Sequence, residues 1–176
     1  LRYLKHLQIG AFGLVSISED FMRLGEENKL ESLDLNSNNF NGIPSILTKE
    51  NFPKLKKLDL LACHRWTVSD LQKKDDYEDG IGLYINTATD NSLRNLLLWD
   101  TLEELRLSNN YIEGQIPDFT VGQDGVEAWS EADVAAWGGD TIKNLVGRPK
   151  IMPNMKRLSL NLNFFTGDLP HWMLYH

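Results

Sequence analysis

Cysteine, surplus positive charge and long apolar runs are all scarce in this sequence, and each scarcity closes off a class of function. One residue of 176 is cysteine, Cys63, so neither an intrachain disulfide nor a multi-cysteine zinc site can form. Lys and Arg number 18 against 25 Asp and Glu, for a net charge of -7. The adjacent pairs Lys56-Lys57 and Lys73-Lys74 are each followed closely by acids. Nucleic acids and anionic membrane surfaces need clustered cations to neutralise phosphates, so neither is an expected partner. No apolar run approaches the length of a membrane span, about 18 residues or more, so no membrane insertion by this segment is expected. Phosphate-binding glycine loops, G-x-G-x-x-G, H-E-x-x-H and G-x-S-x-G are all missing. The four histidines, at 6, 64, 171 and 176, share no metal-ligand spacing. Neither a cofactor nor an enzyme activity is expected.

What the sequence does have is a recurring string. LEELRLSNNYIEGQIP runs from Leu102 to Pro117, MKRLSLNLNFFTGDLP from Met155 to Pro170, and the shorter LESLDLNSNNFNGIP from Leu30 to Pro44. Less complete copies are LKHLQIGAF at 4-12 and LKKLDLLAC at 55-63. Aligned on the column that holds the repeated Asn, these put Phe12, Asn38, Cys63, Asn110 and Asn163 in register, 26, 25, 47 and 53 residues apart. The first two intervals match one repeat of roughly 20 to 29 residues. The 47-residue interval is read as holding a degenerate repeat near 83-88, built on Leu83-Tyr84-Ile85 with Ala88 in the Asn column, against a plain loop insertion. The 53-residue interval is read as one repeat carrying an insertion over 118-150.

Each L-x-L predicts a short strand whose leucines point inward while the residues between point out. A single copy cannot bury its own leucines, so neighbouring copies must stack into a solenoid. An inward Asn in the ruler column can bond backbone groups that the turn leaves unpaired, which would otherwise be costly. Between copies, capping-box patterns at Ser16-Glu19, Thr67-Asp70 and Ser130-Asp133 predict short helices. Asn91-Ser92 predicts another through Leu93, Leu96 and Leu97, and Asp140 is placed to cap one ending at Gly147.

The repeats resemble the leucine-rich repeat superfamily, in the form with a G-x-I-P extension found in plant receptor ectodomains, in polygalacturonase inhibitors and in surface proteins of Bacteroides-type bacteria. The resemblance covers 30-63, 102-117 and 155-170, is weak over 1-29, and is absent from 64-80 and 118-150. It implies an α/β fold: a leucine-rich repeat solenoid of five or six turns, with a parallel concave β-sheet and convex-side short helices and insertions. Residues 1-176 would form one domain. With Leu1 in place of Met, and His176 directly after a complete repeat, the chain is expected to be a piece of a longer one. No N-x-S/T signal is present and the insertions are large, so the bacterial group is favoured over the plant one. Extracellular or cell-surface location follows from the resemblance alone.

The resemblance also implies ligand binding on the concave strand face. The outward positions are Ser32, Asp34 and Asn36; Lys57 and Asp59; Glu104, Arg106 and Ser108; and Arg157, Ser159 and Asn161, with His6, Gln8, Gly10 and Leu61 completing the columns. A broad polar face suits a protein ligand first and a glycan second; a structural spacer that binds nothing is the third reading. Cys63 beside His64 invites a nucleophilic pair, but an inward ruler residue explains the cysteine better. Glu127, Glu131 and Asp133 invite glycoside chemistry, and solvated helix acids explain them better. The tryptophans at 66, 99, 129, 137 and 172 are expected mainly to pack, with Trp172 set to stack on a neighbour beyond the chain.

Overall fold

A computed structural model describes residues 3-22, 27-63, 83-123, 125-137, 145 and 147-175. Five short strands form one parallel sheet in the order β1 (His6–Gln8), β2 (Ser32–Asp34), β3 (Lys57–Asp59), β5 (Glu104–Arg106) and β7 (Arg157–Ser159). A second parallel sheet holds β4 (Tyr84–Asn86), β6 (Tyr111–Gly114) and β8 (Phe164–Phe165). Two helices, α1 (Ser92–Leu97) and α2 (Glu131–Ala136), lie in the connections.

The main sheet is in strict repeat register. Leu7, Leu33, Leu58, Leu105 and Leu158 occupy one row. The three central leucines are at most 1% exposed, while Leu7 and Leu158 are only partly buried. The difference is geometric: an outer strand has a neighbouring turn on one side only, so part of its leucine wall is missing. Fully burying one such side chain is worth about 1.5–3 kcal/mol, and the rows headed by Leu30, Leu55 and Leu102 repeat that gain along the stack.

The direct pairing of Lys57 with Glu104 corrects the reading of a degenerate repeat near 83-88. Nothing intervenes between β3 and β5. Instead Tyr84 and Ile85 register with Tyr111 and Ile112 in the second sheet, and the Leu83 N–H donates to the Cys63 carbonyl at 2.8 Å. Residues 83-86 therefore finish the turn that Cys63 begins. The main sheet has five turns, and the 47-residue interval is one turn with an insertion. In the second sheet Gly114 (φ 93°) abuts Thr87 so closely that a Cβ there would run into its Oγ1, a close approach that only glycine permits.

The residue before each ruler position lies in the left-handed region: Ala11, Ser37, Ala62, Asn109 and Leu162 have φ of 52–58°. None is glycine, so every turn carries local strain, which the ruler asparagines help to hold. Asn38 Nδ2 donates to the carbonyls of Ile9 and Leu35, and its Oδ1 accepts from the N–H groups of Phe12 and Leu14. Asn110 and Asn163 repeat the pattern. Cys63 supplies only a thiol, 3.3 Å from the Leu35 carbonyl.

Of the expected helix starts, Ser130-Asp133 forms as a reciprocal box: Ser130 Oγ accepts from Asp133 N–H and Asp133 Oδ2 accepts from Ser130 N–H. Two others differ. Over 16-22 only a 3-10 turn forms, Glu19–Met22, and Ser18 rather than Ser16 accepts from Asp20 N–H. Helix α1 forms with Leu93, Leu96 and Leu97 buried, but Asn91 makes no side-chain cap; Asp90 accepts the Ser92 N–H at 2.7 Å. The box at Thr67-Asp70, and with it His64 and Trp66, lies outside the described residues, as does Asp140.

Trp172 finds its partners within the chain and does not await a further neighbour. It is 4% exposed, its Nε1 donates to the Pro117 carbonyl at 2.9 Å and its ring meets Phe119 edge-on. His171 Nδ1 lies 2.8 Å from Asp118 Oδ2, beside it. Burial tends to raise the Asp118 pKa, but the bonds from His171 and Phe119 outweigh it and hold the carboxyl below its ordinary value.

Candidate functional site

Strand register decides which outward side chains can meet a ligand together. It sets His6, Ser32, Lys57, Glu104 and Arg157 in one column, and Gln8, Asp34, Asp59, Arg106 and Ser159 in the next. A third column follows from the backbone bonds that continue the ladder, through Gly10, Asn36, Leu61, Ser108 and Asn161. The extensive contacts between elements run only from strand to strand, so no described helix covers this face.

The first column is open and charged. Glu104 sits between Lys57, 3.9 Å away, and Arg157, 3.7 Å away. The second is tighter. Gln8 Nε2 donates to Asp34 Oδ2 at 2.9 Å, while Asp34 Oδ1 accepts from the backbone and side chain of Asn36. Arg106 Nη1 donates to Asp59 Oδ2 at 2.6 Å, and Asp59 Oδ1 accepts the Leu61 N–H. Burial raises the Asp59 pKa; the Leu61 N–H and the Arg106 guanidinium pull against that rise, and the charge of Asp34 adds to it.

In the third column Ser108 departs from its expected role. It is only 4% exposed and its hydroxyl donates to Asn161 Oδ1 at 2.6 Å, so Asn161 offers the exposed polar surface and Ser108 orients it. The other ten predicted residues are half-buried or exposed on the open face.

Sequence reasoning passed over one more column. Lys5, Glu31, Lys56, Glu103 and Lys156 follow the first leucine or methionine of each copy and alternate in sign across five strands. Lys5 lies 2.8 Å and Lys56 3.5 Å from Glu31, and Lys156 lies 2.7 Å from Glu103. Side-chain bonds from Lys5 to Glu31, and from Lys156 to Glu103, hold both carboxyls below their ordinary values. The alternation was readable by stacking the copies on their leucines. Beyond this ladder an open groove of about 660 Å³ runs along the strand starts, lined by Tyr3, Lys29, Pro53 and Lys54 among others.

Cys63 is fully buried and its thiol is pushed up to about 12, burial being the main cause, which is the reverse of what a nucleophile needs. Asp133 is committed to its capping box, while Glu127 and Glu131 are exposed. No cluster of metal-ligating side chains occurs among the described residues. No helix among them is long and apolar enough to cross a membrane. Trp99 and Trp129 are buried, and Trp137, 44% exposed, leans on Trp129 at 4.5 Å between ring centroids.

Two stretches, 29–49 and 101–121, match the family model described as Leucine Rich Repeat. The chain carries leucine-rich repeats. Its two matched repeats contain β2 and β5, two of the three central strands of the main sheet. Leucine-rich repeat domains are generally protein-interaction modules and typically non-catalytic, and protein partners are what the family suggests. No curated protein and no solved structure matches the chain.

Proposed function

We propose that this leucine-rich repeat chain is a non-catalytic recognition module that binds a protein partner on the open face of the five-stranded sheet. The supporting observation is the register itself, which holds Lys57, Glu104 and Arg157 beside Asp59 and Arg106 as one fixed charge mosaic. Such a pattern gives specificity, because a misaligned partner meets like charges. With strands about 4.8 Å apart and residues about 3.3 Å apart, the face from column Lys5 to column Gly10 measures roughly 20 Å by 17 Å. That area suits a helix or loop of the partner better than a whole flat domain, since standard interfaces bury about 800 Å² a side.

The same proposal includes a secreted or cell-surface location in a bacterium. It rests on the resemblance to surface proteins with G-x-I-P repeats, on the missing N-x-S/T signals and on the large insertions.

Affinity capture from extracellular protein and glycan pools tests the proposal, using the parent chain and a Lys57→Ser, Arg157→Ser variant. Both side chains are well exposed, so the variant should fold like the parent. Capture of a protein by the parent but not by the variant is expected. Equal capture by both would move the site off this face, sugar alone would make the chain a glycan-binding adhesin, and no capture would leave a spacer.

A further inference from the structure

On the side of the solenoid away from the open face, residues 43-50 of the second turn face α1 and Trp99 across a cleft of about 340 Å³, within the size range of small-ligand pockets. Two of its lining residues carry buried polar atoms with no hydrogen-bond partner among the described residues, Trp99 Nε1 and Ser92 Oγ. Trp99 is 2% exposed, so water does not compensate it from bulk. An indole N–H can only donate, and buried donors are nearly always paired. Both orphan donors belong to residues that line one cleft, and an acceptor seated there is the partner that would satisfy them.

The charges around the cleft limit what that acceptor can be. Lys49, from one wall, lies 2.8 Å from Asp100, which follows the other wall, so its ammonium is already neutralised. Glu50 adds a second carboxylate, held below its ordinary pKa by its own backbone N–H and the Thr48 hydroxyl. An anionic ligand would therefore face net repulsion. The remaining walls, Pro44, Leu47 and Leu98, ask for an apolar group.

We propose that the cleft binds an uncharged amide with an apolar flank, as presented by an aliphatic residue in an extended peptide, its carbonyl oxygens accepting from Trp99 Nε1–H and Ser92 Oγ–H. The half-exposed Lys49–Asp100 pair bridges the two walls as a clasp. An exposed ion pair of this kind opens at little cost, so it does not bar a ligand from the cleft. This site is independent of the open sheet face.

The test is a titration of the ¹⁵N-labelled chain with N-acetyl-L-leucine methylamide, following the Trp99 indole N–H signal, with Trp99→Phe identifying that signal. A saturable movement is expected in the parent and equally in the Lys57→Ser, Arg157→Ser variant, so failure at the open face and failure at the cleft are told apart. Ser92→Ala, which removes an unpartnered hydroxyl and should fold normally, is expected to weaken the probe about tenfold, the scale of one hydrogen bond. N-acetylglucosamine, an amide on a polar ring, should not saturate the signal. An indole signal that stays fixed up to the solubility of the probe would overturn the proposal, with a trapped water as the donors' partner. Unchanged affinity in Ser92→Ala would overturn it too.

Discussion

Asn110 Oδ1 accepts the backbone N–H of Cys63 at 2.9 Å, joining residues 47 apart in the chain. With the two bonds from its Nδ2 to the carbonyls of Leu60 and Leu107, this one side chain closes the turn that carries the insertion between Cys63 and Leu83. Asn110→Ala would leave two buried backbone groups unpaired, the Cys63 N–H and the Leu60 carbonyl, since Asn163 Nδ2 still donates to the Leu107 carbonyl, and each such group costs about 1–3 kcal/mol. A loss of about 2 kcal/mol or more is expected in urea unfolding. Asn163→Ala, in the half-buried last turn, should cost about 1 kcal/mol, because solvent can replace part of what is lost.

Cys63 gives a pH-dependent prediction. Its folded pKa is raised from 9.0 to about 12, so the native state favours the neutral thiol. The stability it contributes is fully present below pH 9 and is lost as pH rises from there through about 12. Unfolding midpoints of the parent should therefore fall across that alkaline window more steeply than those of Cys63→Ala. At pH 8 the native thiol should resist alkylation and react at once in denaturant.

Backbone strain should be relievable at Ala62. Its φ of 52° costs an L-residue about 1–2 kcal/mol, and glycine gives back part of the gain through a freer unfolded chain. Ala62→Gly is expected to stabilise the chain by about 0.5–1 kcal/mol in urea titration, whereas the same change at a strand position such as Leu58 would destabilise it by several times as much.

The pair formed by Asp59 and Arg106 should be worth more at neutral pH than in acid. Burial raises the Asp59 pKa and Arg106 opposes the rise. Arg106→Ala therefore raises it further and leaves a half-buried carboxylate uncompensated at pH 7, at a cost of about 1–2 kcal/mol. Near pH 3, where the carboxyl is protonated both folded and unfolded, the deficit should shrink. Urea unfolding of parent and variant at the two pH values measures it.

How far the fold could be read from the sequence followed the leucines. Where L-x-x-L-x-L stands complete, as at Leu30, Leu55 and Leu102, strand, register and outward columns came directly from spacing, since period 2 and the stacking of turns leave one arrangement. Leu83-Tyr84-Ile85 misled because its distance from Leu60 matches a repeat length; pairing with Tyr111 and Ile112 takes it to the second sheet, and one residue string cannot say which sheet will receive it. Ser108 misled in a different way. Strand alternation correctly pointed it away from the core, but the Asn161 side chain beside it covers it, a packing detail set by a residue 53 positions later. The orphan donors of Ser92 and Trp99 left no trace in the sequence, because they arise from two segments meeting.

The most direct test of recognition by the open face is side-chain labelling of the chain with and without its captured partner. When the partner is bound, amine reagents should lose access to Lys57 and Lys156, and carboxyl reagents to Glu104, while Lys49 and Glu131 label as before. Protection of Lys49 or Glu131 with Lys57, Lys156 and Glu104 unchanged would contradict recognition by the open face and move the binding site to the cleft side or the insertion.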